Sequence, residues 1–142
     1  MKCLALILIV VMCCVAAGCT SLSEPVTPVV ATTSGPVPVR LGTYGWRSPG
    51  QGIQSDAPVP DEFVTDVTAV TAPCGSTVSV DYGRRPHDLF AYLWNDHEPT
   101  RVEVRGGMFT LPADPGTYVY SLESTWREGH ASHVVKIATV PR

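Results

Sequence analysis

The stretch LPADPGTYVYSLESTW, residues 111–126, restricts the fold more than any other part of the chain. Asp114-Pro115-Gly116 is a turn. Pro115 presets φ and Gly116 can adopt a positive φ, so the chain reverses there at little cost. After the turn the side chains alternate. Tyr118, Tyr120, Leu122, Ser124 and Trp126 share one face of an extended segment, and Val119, Ser121, Glu123, Thr125 and Arg127 share the other. The first face is expected to be buried and the second, mostly polar, to meet water.

The same alternation recurs roughly every ten residues, separated by turn residues, with no capped helical period between. Strands are predicted over 67–72, 77–82, 89–94, 101–105, 108–111, 118–126 and 132–140, with Val78, Val80, Tyr82, Val102 and Val104 pointing inward. Residues 89–94 are apolar on both faces and are expected to form the central strand, with Trp94 in the core. Short strands at this spacing describe a sandwich rather than a βαβ fold. The spacing Asp114-x-Gly116-x-Tyr118-x-Tyr120 matches the tyrosine corner of immunoglobulin-like domains, with Tyr120 where antibody domains carry their second cysteine. The expected fold is therefore all-β: an immunoglobulin-like β-sandwich of about seven strands with an irregular N-terminal extension. Trp94, Tyr118, Tyr120 and Trp126 are its structural residues.

Ahead of this domain, Lys2 is followed by CLALILIVVMCCVAAG, an apolar run too short for an ordinary membrane span and suited to a signal segment. It closes on Ala16-Ala17-Gly18-Cys19, a lipobox-like sequence in which small residues admit a processing peptidase and the Cys19 thiol receives lipid; an uncleaved anchor and an ordinary secretory signal are the alternatives. Residues 1–18 are thus expected to be a lipoprotein signal peptide. Residues 19–38, rich in Ser, Thr and Pro, follow as lipidated Cys19 and a flexible linker, and 39–142 are the sandwich domain. Membrane attachment through the N-terminal lipid is the expected localisation, outside the cytoplasm. Cys74 would then be the one thiol left, in a turn and with no intramolecular partner.

Lys2 is the only charge in residues 1–18, so the remainder carries −4 instead of the −3 of the whole chain. With the arginines scattered among carboxylates, nucleic acid is excluded as a partner. His87-Asp88, Asp96-His97-Glu98 and His130-x-x-His133 contain metal-binding residue types. Their placement disfavours a site: residues three apart on a strand face opposite ways, and ten residues of strand separate His87 from His97 by about 33 Å. No metal, cofactor or catalytic residue is expected, since the chain has neither a phosphate loop nor a nucleophile elbow. Residues 39–63 interleave glycines with Tyr44 and Trp46, beside Arg47; these are residue types favoured in binding hot spots. They are expected either to cover an edge or end of the sandwich or to form a binding surface.

Gly42-Thr43-Tyr44-Gly45-Trp46, Tyr92-Leu93-Trp94-Asn95, Phe109-Thr110-Leu111-Pro112, Gly116-Thr117-Tyr118-Val119-Tyr120 and residues 126–133 together resemble a group of small lipoproteins of Firmicutes, over residues 41–140. Members commonly carry two cysteines where this chain has Gly45 and Gln54, so the resemblance implies a disulfide that is missing here. It carries no catalytic residue across. The function expected is a non-catalytic, membrane-tethered module that binds a protein or glycan of the cell envelope. A structural subunit of an envelope assembly is the main alternative, and a metal-dependent enzyme a lesser one.

Overall fold

The computed structural model describes residues 24–142, so the signal segment and Cys19 lie outside the described residues. The Asp114–Gly116 turn launches β10 (Gly116–Trp126), which pairs along its whole length with β11 (Gly129–Val140). β7 (Asp88–Asn95) pairs with the other edge of β10, and β8 (Glu98–Val102) with β7. β5 (Val70–Pro73) runs parallel to the end of β11. Facing them, β6 (Thr77–Asp81) pairs with β9 (Met108–Thr110). These seven strands are those predicted, within a few residues, and apart from parallel β5 they form an antiparallel sandwich in which the chain changes sheets between β5 and β6, β6 and β7, β8 and β9, and β9 and β10.

The alternation of β10 decides the core. Tyr120, Leu122, Ser124 and Trp126 are buried beside Ala131, His133, Val135 and Ile137 of β11, and close against Val78, Val80 and Phe109 of the opposite sheet. At the turn, Tyr118 Oη donates to the Asp114 carbonyl at 3.1 Å, the hydrogen bond that defines a tyrosine corner.

The N-terminal third departs from expectation in two places. Residues 29–37, read as part of a flexible linker spanning 19–38, form a hairpin of β1 (Val29–Thr32) and β2 (Gly35–Val37), and β1 adds to the free edge of β6. Val30 and Val37 are in the core. Pro36 is tolerated because β2 is the outermost strand of its sheet, where a missing N–H costs no ladder bond. Residues 40–55, expected to be irregular, form β3 (Arg40–Ser48) and β4 (Gln51–Ser55), and β3 extends the larger sheet beyond β11. The final sheets run β2-β1-β6-β9 and β4-β3-β11-β10-β7-β8.

A third departure concerns the outer face of the larger sheet. Residues 56–67, including a single helical turn α1 (Pro60–Phe63), lie across it and bury Val119, Ser121 and Val134 with Val64. Two cations fasten this strap. Arg40 donates to the Phe63 carbonyl at 2.6 Å and forks onto Asp66 at 2.8 and 3.0 Å, and Lys136 Nζ donates to the Val64 carbonyl at 3.1 Å. Trp94, expected in the central core, instead packs half-buried beneath the strap, its indole N–H 2.9 Å from Ser121 Oγ. Residues 89–94 are apolar on both faces because both faces of β7 are partly covered, not because the tryptophan lies between the sheets.

Candidate binding cleft

Trp46, expected either to cover an edge or end of the sandwich or to form a binding surface, is only 2% exposed. Its ring meets Trp126 edge to face at 5.5 Å, and Trp126 in turn meets Tyr82 at 5.0 Å. The indole is therefore a core group, nearly closed off from solvent, although Trp46 borders the cleft that Arg47 lines. Tyr44, two residues earlier on the same face of β3, is half-buried against the same core. Arg47 points the other way and is exposed.

The pairing of β3 with its neighbours builds a cleft around Arg47. Gly45 stands opposite Gln54 of β4 on one side and His130 of β11 on the other. The Arg47 amide donates to the Glu128 carbonyl at 2.8 Å, drawing the two-residue turn between β10 and β11 alongside. Glycine is required at position 129, where a Cβ would collide with the Gly45 carbonyl. At Gly45 a Cβ would come within 2.9 Å of the His130 ring, so the missing side chain leaves space in which the imidazole lies. The result is a cleft of about 470 Å³ whose polar walls are Arg47, Gln54, Arg127, Glu128 and His130.

Its electrostatics are set by one ion pair. Arg84 grips Glu128 through two hydrogen bonds, 2.9 and 2.6 Å, and these hold the Glu128 carboxyl below the usual carboxylate range. Among the described residues, Arg47, Arg127 and His130 have neither an ion-pair nor a side-chain hydrogen-bond partner. The cleft thus presents two guanidinium forks and an imidazole with one carboxylate, already engaged. That set can hold and orient a ligand. It offers no nucleophile with an adjacent base.

The remaining histidines are scattered. His133 faces inward and is wholly buried, whereas His130, three residues before it, is exposed on the outer face of the same strand. His97 occupies the β7–β8 turn, where its ring and its backbone amide both meet the Asp61 carboxylate; that hydrogen bonding raises its pKa above the ordinary histidine value. His87 lines a second cleft of about 470 Å³ with Arg85 and Asp81. Among the described residues no group of three or more His, Cys, Asp or Glu is placed to hold a metal ion. Cys74 is a half-buried free thiol.

By sequence, Arg127 falls on the polar face after Trp126, His130 counts only with His133 as a metal-ligand type and as part of the resemblance, and Gln54 only as one end of a missing disulfide. Their convergence with Arg47 depends on β3 docking beside β11, a pairing across more than eighty residues that no local pattern encodes.

Strand order and tyrosine corner define the class as an all-β sandwich of two antiparallel sheets, enlarged by two N-terminal hairpins. No protein-family model, curated protein or solved structure matches the chain.

Proposed function

We propose that this protein is a membrane-tethered extracytoplasmic lipoprotein, akin to small Firmicutes lipoproteins, that acts as a non-catalytic binding module for a protein or glycan of the cell envelope. Its anchor is lipid on Cys19. Its contact surface is the cleft beside Arg47. The observation that carries this reading is the convergence of Arg47, Arg127 and His130, from three separate elements, on one open cleft where, among the described residues, no side-chain hydrogen bond or ion pair engages them. Charged groups left unpaired in a shaped recess favour binding over packing.

The fold adds a constraint on reach. Val26 already packs against the core, and the first described residue, Glu24, lies five positions after Cys19, a span of at most about 18 Å. A lipid on Cys19 would hold the domain close to the bilayer rather than far above it. Partners are then membrane-proximal.

A photo-cross-linking residue in place of Gln54, within the cleft, tests the reading in intact cells, with Asp114 at the opposite end of β10 as the control site. Capture of an envelope protein or glycan from position 54 and not from 114 is the expected result. Equal capture from both sites, or none, overturns the assignment of the cleft. Capture of a single partner in fixed stoichiometry from every exposed edge would instead indicate a structural subunit.

A further inference from the structure

We propose that the cleft takes an oxyanion, the phosphate or carboxylate group of an envelope constituent, held by Arg47 and Arg127 with His130 beside it. The proposal rests on the reading of this cleft as the contact surface and names the chemistry that it recognises.

Four observations support it. Apart from Arg85 in the second cleft and Arg142 at the last position, the other arginines and lysines of the described domain are committed elsewhere: Arg40 to Asp66, Arg84 to Glu128, Arg105 to Glu103, Lys136 to the strap carbonyls, and Arg101 stacked 4.3 Å over Phe90. Arg47 and Arg127 are not. Guanidinium groups present paired N–H donors that match the two oxygens of a carboxylate or phosphate, which makes such pairs stronger and more directional than neutral hydrogen bonds. The one carboxylate in the cleft is gripped by two hydrogen bonds from Arg84, and its attraction for neighbouring Arg127 is through space, without a hydrogen bond that ties up the Arg127 donors. The second cleft offers one arginine fewer, Arg85 and His87 standing there with the carboxylate of Asp81.

The third observation is the shape. Gly52 lines the cleft with open space where a side chain would stand, which lets a ligand group approach the backbone closely there. The fourth is an aromatic ring that is out of reach. Neutral sugars are commonly held by stacking on an exposed ring, and here Trp46 turns its ring into the core while Tyr44 packs half-buried beside it. What the cleft offers instead is charge.

Calorimetric or NMR titration of the full chain with inorganic phosphate, glycerol 1-phosphate and glucuronate tests the proposal. Flotation with phosphatidylglycerol or phosphatidylcholine vesicles separates a lipid headgroup from a soluble or polymer-borne source. Saturable binding of at least one soluble oxyanion is expected, weakened about tenfold by Arg47→Gln or by Arg127→Gln and unchanged by Arg101→Gln. Gly52→Glu gives a second probe that leaves the arginines in place. Open space surrounds that position, so a carboxylate there is accommodated by the fold, and it is expected to abolish binding. Preference for phosphatidylglycerol vesicles, lost in the same variants, identifies the headgroup as the source. Absence of saturable binding to every probe overturns the proposal, as does equal weakening by Arg101→Gln or full retention by Gly52→Glu. Partner capture at Gln54 combined with no oxyanion binding refutes the ligand class alone and leaves the contact surface standing.

Discussion

His133 lies within the interior between β11 and Tyr82, its Nδ1 3.3 Å from the Tyr82 hydroxyl and its Nε2 without a hydrogen-bond partner. Burial disfavours the imidazolium and lowers the pKa from 6.5 to about 4. Above pH 6.5 the group is neutral whether the chain is folded or not, and it adds no pH dependence. Between pH 6.5 and 4 only the unfolded chain takes up the proton, so stability falls on acidification, by about 3 kcal/mol across the window, and the effect levels off below it. Denaturant melts from pH 7.5 to 4 are expected to show this loss in the wild type and a much flatter profile in His133→Leu. The carboxylates of Asp66 and Glu128, held low by Arg40 and Arg84, begin to lose their contribution only at the acid end of this range, and His97, raised by Asp61, gains on acidification; all three are common to both proteins, so the difference between the two profiles isolates His133. At this scale the sequence placed Tyr118, Tyr120 and Trp126 on the buried face of one strand, and they are there. It exchanged the roles of two other tryptophans: Trp46 is in the central core and Trp94 on the covered outer face. Alternation tells which side chains share a face, but not which body of protein lies over it.

Among the elements, the β3–β4 hairpin differs most from its sequence. Its glycines read as breaks, yet only Gly50, with φ +81°, sits in the turn. Gly42 and Gly45 lie within β3, where small size matters because Ser132 and His130 of β11 come close, and Gly52 lies in β4 with open space around it. Gly45 and Gln54, the positions at which the family resemblance places cysteines, are direct cross-strand partners. Such partners have Cα separations suited to a disulfide. Gly45→Cys with Gln54→Cys is therefore expected to close spontaneously under oxidising conditions. Closing a loop of this length should stabilise the domain by about 2 to 3 kcal/mol, with the His130 ring displaced to admit the new Cβ. Thiol titration and melting with and without reductant check both points. A pair that stays reduced in air would contradict the register.

For the molecule as a whole, the decisive feature is that the N-terminal residues complete both sheets. β1 and β2 occupy the free edge of β6, and β3 and β4 that of β11, so a chain that enters by one sheet leaves no unpaired edge beside either strand. Val30→Ala is expected to cost about 2 kcal/mol, from lost burial and the cavity left behind, whereas the same change in a flexible tether would cost nothing. Chemical denaturation measures the difference. A neutral Val30→Ala would mean that β1 is not part of the cooperative unit.

The sequence by itself determined what local pattern can determine. Period-two alternation and turn residues, both read within windows of a few residues, specified seven strands between residues 67 and 140, the inward face of β10 and the tyrosine corner that starts it. Tertiary structure decided the rest. Whether a proline-rich segment is a tether or an edge strand depends on an open ladder being present for it to join, as β6 offers β1. Whether the polar face of β10 meets water depends on a strap fastened by Arg40 and Lys136, residues far apart in the chain. The cleft exists only because Arg40 and Val134 become neighbours in register, which carries Arg47 to the turn beyond Trp126. Strand partners and sheet coverings are chosen by what remains unsatisfied once the local elements have formed, and that choice is made over the assembled surface rather than along the chain.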